Sequence, residues 1–325
     1  MSEQEIQFTR KINKVTCVGG GVIGAGWAAH FMRAGLDVVV YDQVPETDAY
    51  LKQTLSNAMP ALIKLGMACD ASPSRVRFTS NFDEALEGTD FVQESAPENR
   101  ELKIALLAKI DSHSAADVVI ASSSSGFLAA HLRSQARHPE RILIGHPFNP
   151  PYLVPLVEIA GGDAAPKAAA STSAFYRSTG CEVVELDREI DGYIGNRIQF
   201  AVLREILYLM SQGVADLETI DRAIAAGPAI RWAVMGPSSV FFLGKRDPAL
   251  YRKFVDGLLR EMDAGYMAPA SFRPDPEIMQ IYAEQVLNGI GAKGQEGLMA
   301  FRDAGVAHIR RALGQVRASF EKGEA

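Results

Sequence analysis

The sequence predicts an α/β domain with a mostly parallel sheet, followed by an all-helical C-terminal domain. Three observations predict this architecture. Short β-branched runs alternate with helical patterns through the first half of the chain, which is typical of a parallel sheet covered by helices on both faces. These strand signals stop at about residue 190, where long helical patterns begin. The chain has 325 residues, which is enough for about two domains of roughly 150 residues each.

The predicted first domain, residues 1–190, is built from short apolar runs that are bounded by turn residues. The predicted strands are Val15–Val18, Val38–Tyr41, Val76–Thr79, Phe91–Gln93, Val118–Ala121, Ile142–Ile144, Leu156–Ile159 and Glu182–Leu186. The predicted helices between them are Val22–Ala34, Ala49–Leu65, Leu102–Ser112 and Pro166–Ser178. The last of these helices is predicted to end at Gly180, because glycine tolerates the backbone conformation that closes a helix.

The predicted second domain, residues 191–325, follows from apolar residues that repeat three and four positions apart. The pattern predicts helices over Asn196–Met210, Leu217–Ala226 and Gln295–Phe320. Asp216 is the predicted N-cap of the second helix, because its carboxylate can accept a hydrogen bond from a free N–H of the first turn. Three prolines predict a loop in this domain, namely Pro269, Pro274 and Pro276.

Composition narrows the classes of protein to which the chain could belong. Lys and Arg number 33 and Asp and Glu number 39, so the net charge of −6 gives no electrostatic reason to bind nucleic acid or an anionic membrane. No apolar run reaches the roughly 18 residues of a membrane span, and the first residues lack the apolar core of a secretory signal. The three cysteines, Cys17, Cys69 and Cys181, form no zinc or disulfide pattern. We therefore expect a cytoplasmic protein without a metal site, in which Cys17 belongs to the core.

A glycine-rich turn follows the first predicted strand. Gly19, Gly21 and Gly24 form a Gly-x-Gly-x-x-Gly pattern between this strand and the first helix. In a dinucleotide-binding βαβ unit the first glycine makes the tight turn, the second lets the backbone approach a pyrophosphate, and the third allows close helix–strand packing. The helix start at Val22 and Ile23 would offer free amides to the phosphates. The sequence therefore predicts a Rossmann-type sheet with a dinucleotide at this turn.

Asp42 ends the second predicted strand and bears on the choice of dinucleotide. A carboxylate at this place accepts hydrogen bonds from a ribose 2′-hydroxyl and repels a 2′-phosphate. No arginine follows, since the next residues are Gln43, Val44 and Pro45. These features favour NAD over NADP. The alternative is a glycine-rich turn that binds nothing.

Three short segments carry side chains that could perform a reaction. The serine run Ser122–Ser125 and His146 both follow predicted strands, at the sheet edge where ligands of open parallel sheets bind. Glu158 lies inside an apolar strand, where a carboxylate is costly unless it is paired. Beside an imidazole, it would fix the tautomer and stabilise the protonated ring. Spacing alone leaves open the alternative that His146 is a structural histidine in a proline-rich turn.

Taken in order, these motifs resemble the 3-hydroxyacyl-CoA dehydrogenase family. The segments that carry the resemblance are Gly19–Gly24 with Asp42, Glu94–Glu98 with Lys103, Ser122–Gly126, Gly145–Pro150, Val157–Glu158, Gly192–Arg197 and Met235–Pro237. The resemblance implies NAD-dependent oxidation of a 3-hydroxyl group by a homodimer. It also implies that Glu98 and Lys103 lie near the nicotinamide end of the cofactor.

The resemblance further implies the roles of the residues around the reacting carbon. His146 would be the general base that takes the 3-hydroxyl proton, and Glu158 would orient it and stabilise its charge. Ser125 and Asn196 would donate hydrogen bonds to the reacting oxygen, and Asn149 would support the site.

Two departures from the family pattern bear on these assignments. The family's usual Ser-Asn-Thr-Ser is Ser122-Ser-Ser-Ser125 here, so the choice of Ser125 rests on its position in the run. The features that would hold a coenzyme A moiety are also weak. Residues 43–80 contain only two lysines, Lys52 and Lys64. The acidic run that the family has after Met-Gly-Pro is replaced here by Ser238–Lys245. We therefore expect a free L-3-hydroxy acid as the substrate.

The segment Arg231–Pro237 resembles the free-acid branch of the family, which contains the carnitine dehydrogenases and the L-gulonate 3-dehydrogenase and lambda-crystallin group. Its Arg-Trp start, together with Trp27, favours the carnitine group. Arg231 is the candidate for binding a substrate carboxylate, since a guanidinium can form two parallel hydrogen bonds to one.

Aromatic faces attract a trimethylammonium group, which carnitine has and which cannot donate N–H hydrogen bonds. The candidate aromatic residues are Phe148, Trp232, Phe241 and Phe242, each with core packing as the alternative role. The functions left open beside carnitine oxidation are L-gulonate oxidation, 3-hydroxyacyl-CoA oxidation, a structural, crystallin-like role and a dinucleotide sensor that binds the cofactor without turnover.

Overall fold

The chain forms two compact units in the computed structural model, which describes residues 10–163, 165–238, 240, 257, 265, 267–288 and 294–322. One unit consists of the described residues up to Asn196 together with those from Arg302 onward. The other unit runs from Arg197 to Phe301. The domain boundary near residue 190 stays a prediction.

The first unit is built on an eight-stranded sheet in the order β3-β2-β1-β4-β5-β6-β7-β8. The strands are β1 Lys14–Val18, β2 Asp37–Tyr41, β3 Val76–Thr79, β4 Phe91–Glu94, β5 Val119–Ser122, β6 Ile142–Pro147, β7 Leu156–Ala160 and β8 Glu182–Glu185. All neighbouring strands are parallel except β6 and β7, which are antiparallel. The predicted Rossmann-type, mostly parallel sheet is confirmed.

Helices of this unit connect the strands, and two of them begin at an asparagine side-chain cap. They are α1 Val22–Arg33, α2 Thr47–Leu65, α3 Phe82–Leu86, α4 Arg100–His113, α5 Ala129–Leu132 and α6 Pro166–Ser178, with 3₁₀ turns at Pro73–Arg75 and Pro139–Arg141. The side chains of Asn81 and Asn99 accept hydrogen bonds from the first-turn amides of α3 and α4. Each of these caps satisfies an N–H that has no partner inside its helix.

Buried side chains cover both faces of the sheet. Successive residues of a strand point to opposite faces, and the neighbours Phe91 and Val92 of β4 accordingly join different core clusters. Phe91 packs in the cluster that contains α1, α2 and α6, and Val92 packs in the cluster that contains α3, α4 and α5. Cys17 is fully buried in the first cluster, as the sequence predicts.

The described elements after β8 are helical, which confirms the predicted change of pattern. They are α7 Gly195–Ser211, α8 Leu217–Ile224, a π-helical turn Ala225–Ala229, α9 Ile230–Trp232, α10 Pro276–Asn288 and α11 Gln295–Glu321. Asp216 is the N-cap of α8, accepting a hydrogen bond from the Thr219 amide at 2.8 Å. The predicted loop at Pro276 is wrong, because this proline begins α10. Its fixed φ and missing N–H suit a first helical position.

Candidate active site

The glycine turn between β1 and α1 has the close contacts that only glycine permits. Gly19 has a φ of +97°, and its amide donates to the Tyr41 carbonyl oxygen at 2.8 Å. A Cβ on Gly19 would lie 2.7 Å from the Ser95 carbonyl oxygen, and one on Gly24 would lie 1.8 Å from the Gly19 oxygen. A Cβ on Gly21 would meet no atom within 4 Å. The turn is therefore tightly packed at two glycines and open at the third.

The open side of the turn fits the cofactor that the sequence predicts. Gly21 is the N-cap of α1 and supplies no side-chain cap, so the first amides, at Val22 and Ile23, are available to a phosphate. The carboxylate of Asp42 lies beside the turn, accepting hydrogen bonds from the amides of Gly20 at 2.9 Å and Val44 at 3.0 Å. These residues suit the diphosphate and the adenosine ribose of NAD.

His146 and Glu158 are brought together by the antiparallel pairing of β6 and β7. The register places them directly opposite each other, and both side chains are buried, with 4% and 1% of their surface exposed. His146 Nδ1 lies 2.9 Å from Glu158 Oε2. The other carboxylate oxygen accepts hydrogen bonds from the amides of Ile194 at 2.9 Å and Gly195 at 3.0 Å.

These contacts fix the charge of Glu158 and the tautomer of His146. Burial acts to raise the pKa of Glu158, but hydrogen bonds from His146, Gly195 and Ile194 outweigh burial and hold this pKa below its usual value. An ionised carboxylate can only accept hydrogen bonds, so His146 Nδ1 is the donor. The neutral ring therefore keeps its acceptor lone pair at Nε2, where it can take a proton.

Two aromatic rings enclose the His146 ring. Phe148 lies edge-on at a ring-centre distance of 5.2 Å, and Tyr193 lies at 5.1 Å. A Cβ on Gly195 would lie 2.1 Å from the Phe148 ring, so this glycine makes room for Phe148. The Tyr193 hydroxyl donates to the Phe127 carbonyl oxygen at 2.7 Å. Tyr193 was not among the predicted site residues, although its place between two motif glycines, Gly192 and Gly195, was a signal.

Glu98 holds the end of the serine run in place through three hydrogen bonds. Its Oε1 accepts hydrogen bonds from the Ser124 hydroxyl at 2.7 Å, the Ser125 amide at 3.0 Å and the Gly126 amide at 2.9 Å. The Asn196 side chain donates to the Ser125 carbonyl oxygen at 3.4 Å. Within the described part of the chain, the Ser125 hydroxyl has no hydrogen-bond partner, so it is available to a ligand.

Lys103 is buried beside Glu94, a carboxylate for which no role was predicted. Its ammonium lies 2.8 Å from Glu94 Oε1 and 3.6 Å from Glu98 Oε2. The Ser122 hydroxyl donates to the other oxygen of Glu94. Glu94 could have been found as a charged residue at the end of β4, since a carboxylate buried in a sheet needs an ion-pair or hydrogen-bond partner.

Other predicted site residues have no contact that assigns their role. Asn149 is exposed and lies two residues after the end of β6. Arg231 and Trp232 lie in α9, in the unit that runs from Arg197 to Phe301, and both are exposed. The aromatic candidates Phe241 and Phe242 lie outside the described residues. The roles assigned to these five residues stay predictions.

The described residues contain neither a membrane-spanning helix nor a cluster of metal-ligating side chains. No helix among them has both the length and the apolar character needed to cross a membrane. No three of their His, Cys, Asp or Glu side chains form a group that could hold a metal ion.

Comparison with known proteins identifies the same family that the motifs resemble. The family description "3-hydroxyacyl-CoA dehydrogenase, NAD binding domain" matches residues 14–190, and "3-hydroxyacyl-CoA dehydrogenase, C-terminal domain" matches residues 192–254. An L-carnitine dehydrogenase of Nocardiopsis dassonvillei is 40% identical over 97% of this chain and 96% of its own length. One of Pseudomonas aeruginosa is 36% identical over 96% of this chain and 98% of its own length.

Solved structures show the same likeness. A 5-formyl-3-hydroxy-2-methylpyridine 4-carboxylic acid 5-dehydrogenase superimposes with a TM-score of 0.79 at 28% identity, covering 94% of this chain and 99% of its own. An (S)-3-hydroxybutyryl-CoA dehydrogenase from Ralstonia eutropha gives a TM-score of 0.60 at 26% identity, covering 81% of this chain and 98% of its own. Both family domains match in order and the relatives align almost end to end, so this chain belongs to the 3-hydroxyacyl-CoA dehydrogenase family and is an NAD-dependent dehydrogenase.

Proposed function

We propose that this enzyme oxidises L-carnitine to 3-dehydrocarnitine with NAD. The observation that carries the proposal is the nearly full-length likeness to proteins named L-carnitine dehydrogenase. Eight relatives of that name are 35% to 40% identical to the chain, over 87% to 97% of its length. The weak coenzyme A features in the sequence agree with a free hydroxy acid as the substrate.

The buried pair performs the proton transfer in this proposal. His146 Nε2 accepts the proton of the 3-hydroxyl, and Glu158 stabilises the positive charge that forms on the ring. The Ser125 hydroxyl and the Asn196 amide donate hydrogen bonds to the reacting oxygen, which gains negative charge as the proton leaves. Bound NAD would supply the two-electron oxidant, the acceptor for the hydride that leaves C3.

The cofactor is held along the edge of the sheet at which the glycine turn lies. The residues that we assign to it are Gly19, Gly21, Val22, Ile23 and Gly24 for the diphosphate, Asp42 for the adenosine ribose, and Glu98 with Lys103 at the nicotinamide end. Lys103 is buried against Glu94, so it acts on this end through the carboxylates that it pairs with. It is therefore a positioning residue.

Charge recognition at both ends of carnitine is the second part of the proposal. We assign Arg231 to the carboxylate, Phe148 and Trp232 to the trimethylammonium group, and Asn149 to a supporting role. Trp27 does not share this role, because its side chain is fully buried and its indole N–H donates to Ser123.

Steady-state kinetics on a substrate panel tests the substrate assignment. Purified enzyme with NAD is assayed on L-carnitine, L-gulonate and L-3-hydroxybutyryl-CoA. We expect the highest kcat/KM with L-carnitine. A much higher kcat/KM with either of the other substrates would show that the assignment to carnitine is wrong and would leave the family chemistry intact.

Replacement of Arg231 tests how the carboxylate is bound. Loss of a charge-assisted hydrogen bond is expected to lower kcat/KM for L-carnitine in Arg231→Ala by about tenfold to a hundredfold, because such bonds contribute about 1.5–3 kcal/mol. The Kd for NADH should not change. Arg222→Ala, which removes an exposed arginine from the neighbouring helix α8, is the matched control. Equal kinetics in the two variants would exclude Arg231 from the site.

We also infer that the enzyme is a cytoplasmic homodimer. Large apolar side chains are exposed in the unit from Arg197 to Phe301, among them Phe200, Leu287 and Phe301, the last with 79% of its surface accessible. All three cysteines are free, and Cys69 is exposed, which suits a reducing compartment. Light scattering after gel filtration should give about twice the chain mass of 35.2 kDa. A mass of one chain at micromolar concentration would rule out the dimer.

A further inference from the structure

A chain of hydrogen bonds runs beneath the glycine turn through side chains that the reaction does not use. The Tyr176 hydroxyl lies 2.6 Å from Gln93 Oε1, and Gln93 Nε2 lies 2.9 Å from Ser123 Oγ. Ser123 Oγ lies 2.8 Å from Ser95 Oγ and 3.2 Å from the indole nitrogen of Trp27. The chain therefore leads from the core of the first unit to Ser95, at the end of β4.

The direction of the first link is fixed by groups that can only donate or only accept. Gln93 Nε2 faces the Gly145 carbonyl oxygen at 3.5 Å, and a carbonyl accepts hydrogen bonds, so the amide nitrogen and not the amide oxygen stands there. Full burial raises the pKa of Tyr176 well above its usual value, so the phenol keeps its proton. Tyr176 therefore donates to Gln93 Oε1.

Ser123 is the residue at which the direction is passed on. Gln93 Nε2 and the Trp27 indole can only donate, so both use lone pairs of Ser123 Oγ. A hydroxyl oxygen has two lone pairs and one hydrogen. With both lone pairs taken, the Ser123 hydrogen is donated to Ser95 Oγ.

Ser95 is left with a hydroxyl hydrogen that has no acceptor among the described residues. Its side chain is half-buried, and its Cβ lies 3.5 Å from the position that a Cβ on Gly24 would occupy. Its carbonyl oxygen lies against Gly19. The Ser95 hydroxyl therefore lies beside the glycine turn with a hydrogen left to donate.

We propose that Ser95 is a further cofactor-binding residue, which donates a hydrogen bond from its hydroxyl to an acceptor oxygen in the diphosphate or the nicotinamide ribose of NAD. The buried chain of donors orients the Ser95 hydroxyl as a donor before the ligand binds. Binding therefore costs little rotational entropy of this hydroxyl. The proposal rests on NAD binding at the glycine turn and is independent of which hydroxy acid is oxidised.

Binding measurements on Ser95→Ala test this proposal without turnover. NADH is titrated by fluorescence, and ADP-ribose and AMP are measured by competition with it. Loss of one hydrogen bond should raise the Kd values for NADH and ADP-ribose by about threefold to tenfold, because such a bond contributes about 0.5–1.5 kcal/mol. AMP, which lacks the diphosphate and the second ribose, should compete as it does with the parent enzyme.

Two comparisons separate this role from a structural one. Ser112→Ala, which removes an exposed hydroxyl from α4, should leave all three affinities unchanged. Ser123→Ala removes the acceptor of Trp27 and Gln93 and should lower the Tm. Unchanged NADH and ADP-ribose affinity in Ser95→Ala would overturn the proposal, and so would an equal loss for AMP. Tight NADH binding by the parent enzyme confirms the turn site separately.

Discussion

The two oxygens of Glu158 have different partners, and this couples the carboxylate to the base more tightly than a single contact would. One oxygen accepts from His146 and the other accepts from the amides of Ile194 and Gly195. The carboxylate therefore cannot turn away from His146 without breaking three hydrogen bonds. This arrangement is what a base needs if its reactive nitrogen is to keep one position.

We expect the pair to act as a unit in kinetics. His146→Ala should lower kcat by about 10²–10⁴, the usual contribution of a general base. Glu158→Gln should also lower kcat substantially and leave the Kd for NADH nearly unchanged, and the double variant should resemble His146→Ala alone. His138→Ala is the matched control, because His138 forms a surface pair with Glu140 at 3.3 Å. Full activity in His146→Ala would refute this mechanism.

Cofactor preference is the second property that we assign to one residue. Replacing Asp42 with Ala and Gln43 with Arg removes the repulsion of a 2′-phosphate and adds a cation beside it. Asp42 also accepts the Gly20 amide, so both dinucleotides are expected to bind more weakly. The ratio of the Kd values for NADPH and NADH is the informative measurement, and it should fall by at least about tenfold, or roughly 1.4 kcal/mol. An unchanged ratio would mean that the ribose lies elsewhere.

Individual site residues were easiest to predict where a charged residue interrupted an apolar pattern. Glu158 is a carboxylate in an apolar strand, and its predicted partner His146 lies opposite it. The pairing of Lys103 with Glu94 was not predicted, because a lysine in an amphipathic helix gives no sign that it is buried. The packing of Tyr193 on His146 depends on a contact between residues that are distant in sequence, which spacing does not encode.

Strand β6 carries a tight contact directly before the base. A Cβ on Gly145 would lie 2.2 Å from the Tyr176 hydroxyl oxygen, which belongs to α6. Gly145→Ala should therefore displace the strand next to His146, lowering both the Tm and kcat. Adding Tyr176→Phe removes the closest clashing atom and should restore part of both losses.

A helical glycine with free space is the control for this element. Gly305, in α11, would meet no atom within 4 Å if it carried a Cβ, so Gly305→Ala should leave the Tm unchanged or raise it. If Gly145→Ala is as stable and active as the parent enzyme, the contact with Tyr176 does not constrain the strand.

Periodicity predicted the eight strands and the long helices to within a few residues. The helices α3 and α5 were not predicted, because five and four residues are too few to show a 3.6-residue period. Helix α10 was missed for a different reason. Its first residue, Pro276, was interpreted as part of a loop, although proline is also favoured at the first position of a helix.

The division into two compact units leads to a prediction for the whole molecule. The glycine turn lies entirely in the unit that contains the sheet. NADH at about 100 times its Kd should stabilise that unit by about 2.7 kcal/mol, which slows amide exchange through its unfolding by about a hundredfold. Hydrogen exchange read by mass spectrometry should show this protection in β1, β2 and β4.

The helical unit supplies the internal comparison. It has a separate small core around Met210, Leu217, Ile220 and Ile278. Amides in α8 and α10 should gain less protection from NADH than those of the sheet. Equal protection of both sets would contradict independent unfolding of the two units.

The antiparallel pairing of β6 with β7 makes the base and its carboxylate an all-or-none arrangement. Side chains alternate between the two faces of a strand, so a slip of β7 by a single residue would turn Glu158 to the opposite face and bring Val157 or Ile159 opposite His146. A slip by two residues would restore the face but not the partner. The segment that joins the two strands can thus vary in length during evolution only where the extra residues loop out, because no partial shift of the strand leaves a weakened but working pair.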